Sequence, residues 1–143
     1  MSYSILIIDD EKNVRVALGN LLKDYGYKIF LAERLVEAEK ILLTEEISLI
    51  MLDLFLNQED GLKWLKKMSS MKKYYPTTII ISGNVNPETL EKAMEIGVVG
   101  VLKKPFASEE VINIIREALE KRSSKINILS SSGVKRNNED ITL

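Results

Sequence analysis

The stretch Leu49-Ile50-Met51-Leu52-Asp53 constrains this chain more than any other. Four apolar residues in succession, without polar alternation, describe a strand covered on both faces, as in a parallel sheet with helices on either side. The run stops on a carboxylate. Turn-forming residues follow at Asn57 to Gly61, and a helical pattern starts at about Leu62. An acid at the C-terminal end of a buried strand, just ahead of a helix, stands where open α/β sheets bind their ligands. Asp53 is thus the first candidate for a reacting group, and polar residues at other strand ends are candidates to serve it.

Taken in order, the chain repeats that arrangement. Ile5-Leu6-Ile7-Ile8 is a second continuous apolar run, ending on Asp9 and Asp10. Val14, Leu18, Leu21, Leu22 and Tyr25 recur at helical steps, and Gly26 is a helix stop. Lys28 to Ala32 is a short strand of mixed polarity, as expected nearer a sheet edge. Leu35, Ala38, Ile41 and Leu42 mark a second helix, and Leu62, Leu65 and Met68 a third. Thr78 to Ser82 is a β-branched run ending on a hydroxyl. Asn86-Pro87 reads as an N-cap with proline at the first helical position. Leu90, Ala93, Met94 and Ile96 form the buried stripe of that helix, and Gly97 closes it. Val98 to Leu102 is the fifth strand, followed by Lys103-Lys104-Pro105. Ser108 is placed to cap a last helix that buries Val111, Ile112, Ile115, Ala118 and Leu119. Five βα units with short connections predict an α/β fold: a five-stranded, doubly wound parallel sheet of order 2-1-3-4-5.

Composition removes whole classes of chemistry. The 143 residues include no cysteine and no histidine, so disulfides, thiolate nucleophiles, imidazole bases and zinc sites of the Cys/His type are excluded. A net charge of −1, without a dense basic block, gives no reason to expect nucleic-acid or anionic-membrane binding. No stretch approaches the ~20 apolar residues that span a bilayer. The N-terminus has no basic segment ahead of its short apolar run. A cytoplasmic location is expected.

In a parallel sheet all the C-terminal strand ends share one edge. That edge would gather Asp9 and Asp10 from strand one, Asp53 from strand three, Ser82 from strand four and Lys104 from beyond strand five. Carboxylates that close raise one another's pKa unless something neutralises them. A hard divalent cation, Mg²⁺ or Mn²⁺, does so with oxygen ligands. The set suits phosphoryl transfer: Asp53 as a carboxylate nucleophile, with the cation and Lys104 offsetting charge on the phosphoryl oxygens and Ser82 donating to one of them. Lacking histidine, the chain must take the phosphoryl group from another molecule.

These residues resemble the receiver domains of two-component response regulators over roughly Ser4 to Lys121. The resemblance rests on Ile7-Ile8-Asp9-Asp10-Glu11, Met51-Leu52-Asp53-Leu54, Asp60-Gly61, Ile80-Ile81-Ser82-Gly83 and Leu102-Lys103-Lys104-Pro105-Phe106. It implies Asp53 as phosphoacceptor, Asp10 as a direct Mg²⁺ ligand, Asp9 as a ligand acting through water, and the backbone carbonyl of Phe55 completing the metal site. Ser82 is implied as the hydroxyl that senses the phosphoryl group, Lys104 as its ion-pair partner, and Lys104-Pro105 as a cis peptide. Strand alternation turns Lys103 to the opposite face. A receiver domain over residues 1–122 is expected, with 123–143 a flexible tail or linker.

The chain departs from the family at three places. Asn57-Gln58 stands where receivers often carry Pro-Gly. Val101 stands where most carry an aromatic residue that swings inward as the hydroxyl moves. Phe55 and Asn84 occupy positions that influence water attack on the acyl phosphate, and bulky Phe55 is expected to slow hydrolysis. The resemblance further implies a sensor histidine kinase or HPt protein as donor, and a downstream protein or a homodimer on the face formed by helix four, strand five and helix five. Competing expectations are a receiver that docks without phosphorylation and a phosphatase of the haloacid dehalogenase-like type. The latter needs an Asp-x-Asp loop that Asp9-Asp10-Glu11 does not supply. A flavodoxin-type FMN site needs a phosphate loop where this chain is acidic.

Overall fold

The structure, a computed structural model, describes residues 3–71 and 75–130. Its elements alternate: β1 (Ser4–Ile8), α1 (Lys12–Asp24), β2 (Lys28–Ala32), α2 (Leu35–Thr44), β3 (Leu49–Asp53), α3 (Gly61–Met71), β4 (Thr77–Ser82), α4 (Pro87–Ile96), β5 (Gly100–Lys103) and α5 (Ser108–Ser130). The strands form one parallel sheet of order β2-β1-β3-β4-β5, as expected. Central β3 pairs with β1, Ile8 opposite Leu52, and with β4, Asp53 opposite Ile81. This register puts the ends of β1, β3 and β4 side by side.

Alternation along the strands divides the core into two layers. Leu6, Ile8, Ile50, Leu52 and Ile80 meet the apolar stripes of α2, α3 and α4, including Ala38, Leu65 and Ala93. Ile5, Ile7, Leu49, Met51, Ile79 and Ile81 meet α1 and α5 through Leu18, Leu22, Val111 and Ile115. Leu49 to Leu52 are each 0% exposed, which accounts for their unbroken apolar run.

Loop chemistry ends the helices where the sequence predicts. Asn86 accepts from the Thr89 N–H at 2.8 Å, ahead of Pro87. Gly97, at φ +117°, closes α4, and Gly26, at φ +92°, follows α1. Both sit in the left-handed region that glycine enters without a Cβ clash.

Of the boundaries that differ from expectation, three have a visible cause. Pairing of β5 with β4 begins at Gly100 rather than Val98, because the Val98 N–H is taken by the Ala93 carbonyl in the closing turn of α4. Ser108 is the first residue of α5, not its cap. The first helical bond runs from Val111 N–H to the Ala107 carbonyl, while Glu110 accepts from Ala107 N–H at 2.8 Å. The same helix runs on to Ser130, where a flexible tail had been expected from Ser123. That stretch is polar but holds no glycine or proline before Gly133, and polarity alone does not end a helix. Residues 131–143 lie outside the described residues.

Candidate functional site

At the C-terminal edge of the sheet, β1 and β3 deliver three carboxylates to one place. Oxygens of Asp9, Asp10 and Asp53 lie within 4.8 Å of one another. Asp9 is 0% exposed and Asp53 6%, while Asp10 is half-buried. Short turns hold each carboxylate in place. Asp9 Oδ1 accepts from the Glu11 N–H at 2.8 Å, and Asp53 Oδ1 from the Phe55 N–H at 2.9 Å. Asp10 Oδ2 accepts from the Asn57 N–H at 2.8 Å, tying the loop after β3 to the loop after β1. Arg15 Nη1 donates to the Asp9 carbonyl at 2.8 Å.

Lys104 enters from beyond β5. Its N–H donates to the Ser82 carbonyl at 2.8 Å, which aims the side chain back over the site. Its Nζ lies 2.7 Å from Glu11 Oε1, 3.1 Å from Asp9 Oδ2 and 3.3 Å from Asp53 Oδ2. The ammonium aligns with Glu11 and Asp53, so the Asp9 contact is an ion pair without hydrogen-bond geometry. Asp9 Oδ2 is therefore buried with no hydrogen bond. Burial pushes the Asp9 carboxyl above the usual carboxylate range, only partly opposed by the Glu11 N–H and Lys104. For Lys104, burial on its own would lower the pKa, but Glu11, Asp9 and Asp53 outweigh it and hold the ammonium protonated well past its usual range.

The donor set fits a hard divalent cation. It consists of carboxylate oxygens, one of them buried and lacking a hydrogen bond, in a cluster with more negative charge than Lys104 can offset.

The remaining expected residues fall around this cluster. Ser82, 1% exposed, ends β4 one position beyond the partner of Asp53, and its Oγ accepts from the Asn84 N–H at 3.0 Å. Val101 pairs with Ile80 and packs, partly buried, against the layer under α2 to α4. Lys103, opposite Ser82 in the register of β4 and β5, is exposed. The Lys104-Pro105 peptide is cis. Phe55, whose N–H holds Asp53, is 57% exposed.

Sequence reasoning overlooked two contributors. The Glu11 carboxylate is the shortest contact of Lys104, across a separation of 93 residues that no local pattern reveals. Gln58 takes the left-handed conformation, φ +59°, at the position where receivers often carry glycine. That missing glycine was the available signal.

Comparison with known proteins decides the family. Residues 5–116 match the response regulator receiver domain. The chain belongs to that family. A protein named NtrX-like response regulator from Rickettsia bellii is 34% identical over 120 residues, which is 81% of this chain and 24% of the relative. An equivalent from Rickettsia felis is also 34% identical, over 25% of its length. The chain thus spans about a quarter of the length of these relatives. Among solved structures, the beryllofluoride-activated NtrC4 receiver domain dimer superposes with a TM-score of 0.76 at 29% identity, covering 82% of this chain and 97% of that one. NtrX from Brucella abortus superposes with a TM-score of 0.82 at 28% identity, covering 90% of this chain and 30% of that one. A CheY-like receiver from Methanospirillum hungatei, at 21% identity and a TM-score of 0.81, shares the fold. This receiver is therefore a regulatory domain of two-component signalling, with five parallel strands in the CheY-like order. No helix among its described residues is long and apolar enough to cross a membrane.

Proposed function

We propose that this receiver accepts a phosphoryl group on a carboxylate oxygen of Asp53 and uses the modification as a switch. The observation that carries this is the placement of Lys104 Nζ 3.3 Å from Asp53 Oδ2 beside the Asp9, Asp10 and Asp53 cluster. A sensor histidine kinase or HPt protein is the donor. An Asp53 oxygen attacks phosphorus, the donor's P–N bond breaks, and the imidazole leaves with the bonding electrons.

Asp9, Asp10, Asp53 and the backbone carbonyl of Phe55 would hold Mg²⁺, or Mn²⁺ in its place. When bound, the cation neutralises the carboxylates and draws charge from the phosphoryl oxygens. Lys104 then pairs with one of those oxygens. Ser82 accepts from Asn84 through Oγ, which leaves its own proton free to donate to another. The domain is not a turnover enzyme. Its output is a changed surface on α4, β5 and α5, presented to a downstream protein or a second copy, in the cytoplasm and without nucleic-acid or membrane contact.

Intact mass after incubation with acetyl phosphate tests this. A phosphoryl adduct should form only with Mg²⁺ and vanish in Asp53→Asn; an adduct independent of Asp53 would sink the proposal. Val101 supports a second reading, docking without phosphorylation, because no ring is present to swing. Under that reading, unmodified protein and Asp53→Asn would capture the same partner equally well.

A further inference from the structure

We propose that Glu11 parks Lys104 in the unmodified receiver and competes with the phosphoryl group for its ammonium. The proposal rests on Asp53 being the phosphoacceptor. Glu11 is the N-cap residue of α1, a position where short Ser, Thr, Asp or Asn side chains accept from a backbone N–H of the first helical turn. It makes no such bond. Its side chain instead accepts from Lys104 at 2.7 Å, 93 residues away.

The three carboxylates around Lys104 differ in environment. The Asp9 and Asp53 side chains are 0% and 9% exposed, whereas the Glu11 side chain is 61% exposed. Glu11 therefore keeps its hydration when the ammonium leaves, and it holds the tightest contact at the lowest cost of release. Asp9 Oδ2, 3.1 Å from Nζ, is left with an ion pair and no hydrogen bond. A phosphoryl group on Asp53 brings more negative charge within reach of Lys104 than the carboxylate had. The ammonium then moves from Glu11 to the phosphoryl oxygens. Glu11 thus sets how strongly the modified state is held. It is a positioning residue acting through Lys104.

Beryllofluoride, a phosphoryl mimic, provides the test on the full chain at saturating Mg²⁺. Calorimetric affinity should tighten roughly two- to fivefold in Glu11→Gln, the scale of one exposed ion pair. In a Lys104→Gln background the same change should yield less than half of that gain, since only direct repulsion between Glu11 and the anion remains. Equal tightening in both backgrounds, or none, overturns the proposal. A second readout uses no mimic and no Lys104 variant: the Nζ resonance of Lys104 should shift between wild type and Glu11→Gln, and an unmoved resonance overturns the parking contact. A wild-type chain that binds no beryllofluoride overturns the phosphoacceptor reading itself. Binding that is indifferent to Glu11 overturns only the role of Glu11.

Discussion

Asp9 shows how a single buried carboxylate links stability to pH. Its folded pKa is raised, so the folded state binds the proton more tightly than the unfolded chain. Stability should therefore rise as pH falls through the raised pKa, until the unfolded value near 3.8 is reached. The melting temperature of Asp9→Asn, measured without metal, should lack that rise; identical pH profiles would contradict it. Lys104 has the same sign in an alkaline window. Its raised pKa contributes stability that is intact below the unfolded value of 10.5 and lost as pH climbs through the folded value. Phe55 makes a kinetic prediction. Phe55 follows the acceptor by two residues and is exposed, and removing its ring in Phe55→Ala should shorten the half-life of the aspartyl phosphate several-fold, whereas an equal or longer half-life would show that the ring does not shield it. The sequence disclosed Asp9, Asp10, Asp53 and Lys104 because each follows an apolar run at a strand end. Glu11 stayed hidden, since its partner is set by the sheet order and not by spacing.

The elements that aim these residues depend on a few backbone positions. Gly61 opens α3 against β3: a Cβ there would stand 2.9 Å from Leu54 Cα and 3.0 Å from its carbonyl oxygen. Gly61→Ala must push the loop after Asp53 outward and should destabilise the domain by about 1–3 kcal/mol by urea denaturation. A smaller loss than for an exposed alanine substitution would deny that close approach. The α4 cap is worth less, and Asn86→Ala should cost about 1 kcal/mol. Strand and helix identities were legible because the apolar runs are long and the periodicities distinct. Boundaries were less so. The start of β5 depends on which carbonyl captures the Val98 N–H, and the reach of α5 to Ser130 depends on helix propensity within a polar stretch that reads as a tail.

For the whole molecule, the two packed layers make the sheet a rigid frame, and the acidic edge is where that frame is electrostatically unsatisfied. Cation binding should therefore stabilise the fold. Mg²⁺ at about ten times its dissociation constant adds roughly 1.4 kcal/mol, which is about 3–5 °C in melting temperature for a domain of this size. That gain should disappear in Asp53→Asn, and a gain preserved there would place the cation elsewhere. Alternation and crossover handedness left few topologies, and the known flavodoxin-like order 2-1-3-4-5 was the leading one, which is why the convergence of distant strand ends could be anticipated before any coordinates. The route from site to output surface could not, because Val101 removes the expected ring and no sequence pattern names its substitute. The most direct measurement is borohydride trapping of the acyl phosphate after treatment with acetyl phosphate and Mg²⁺, followed by peptide mass mapping. Reduction should convert residue 53 to homoserine and leave Asp9, Asp10 and Asp60 intact. Homoserine at any of those positions, or none in a protein that carries the adduct, would contradict Asp53 as the acceptor.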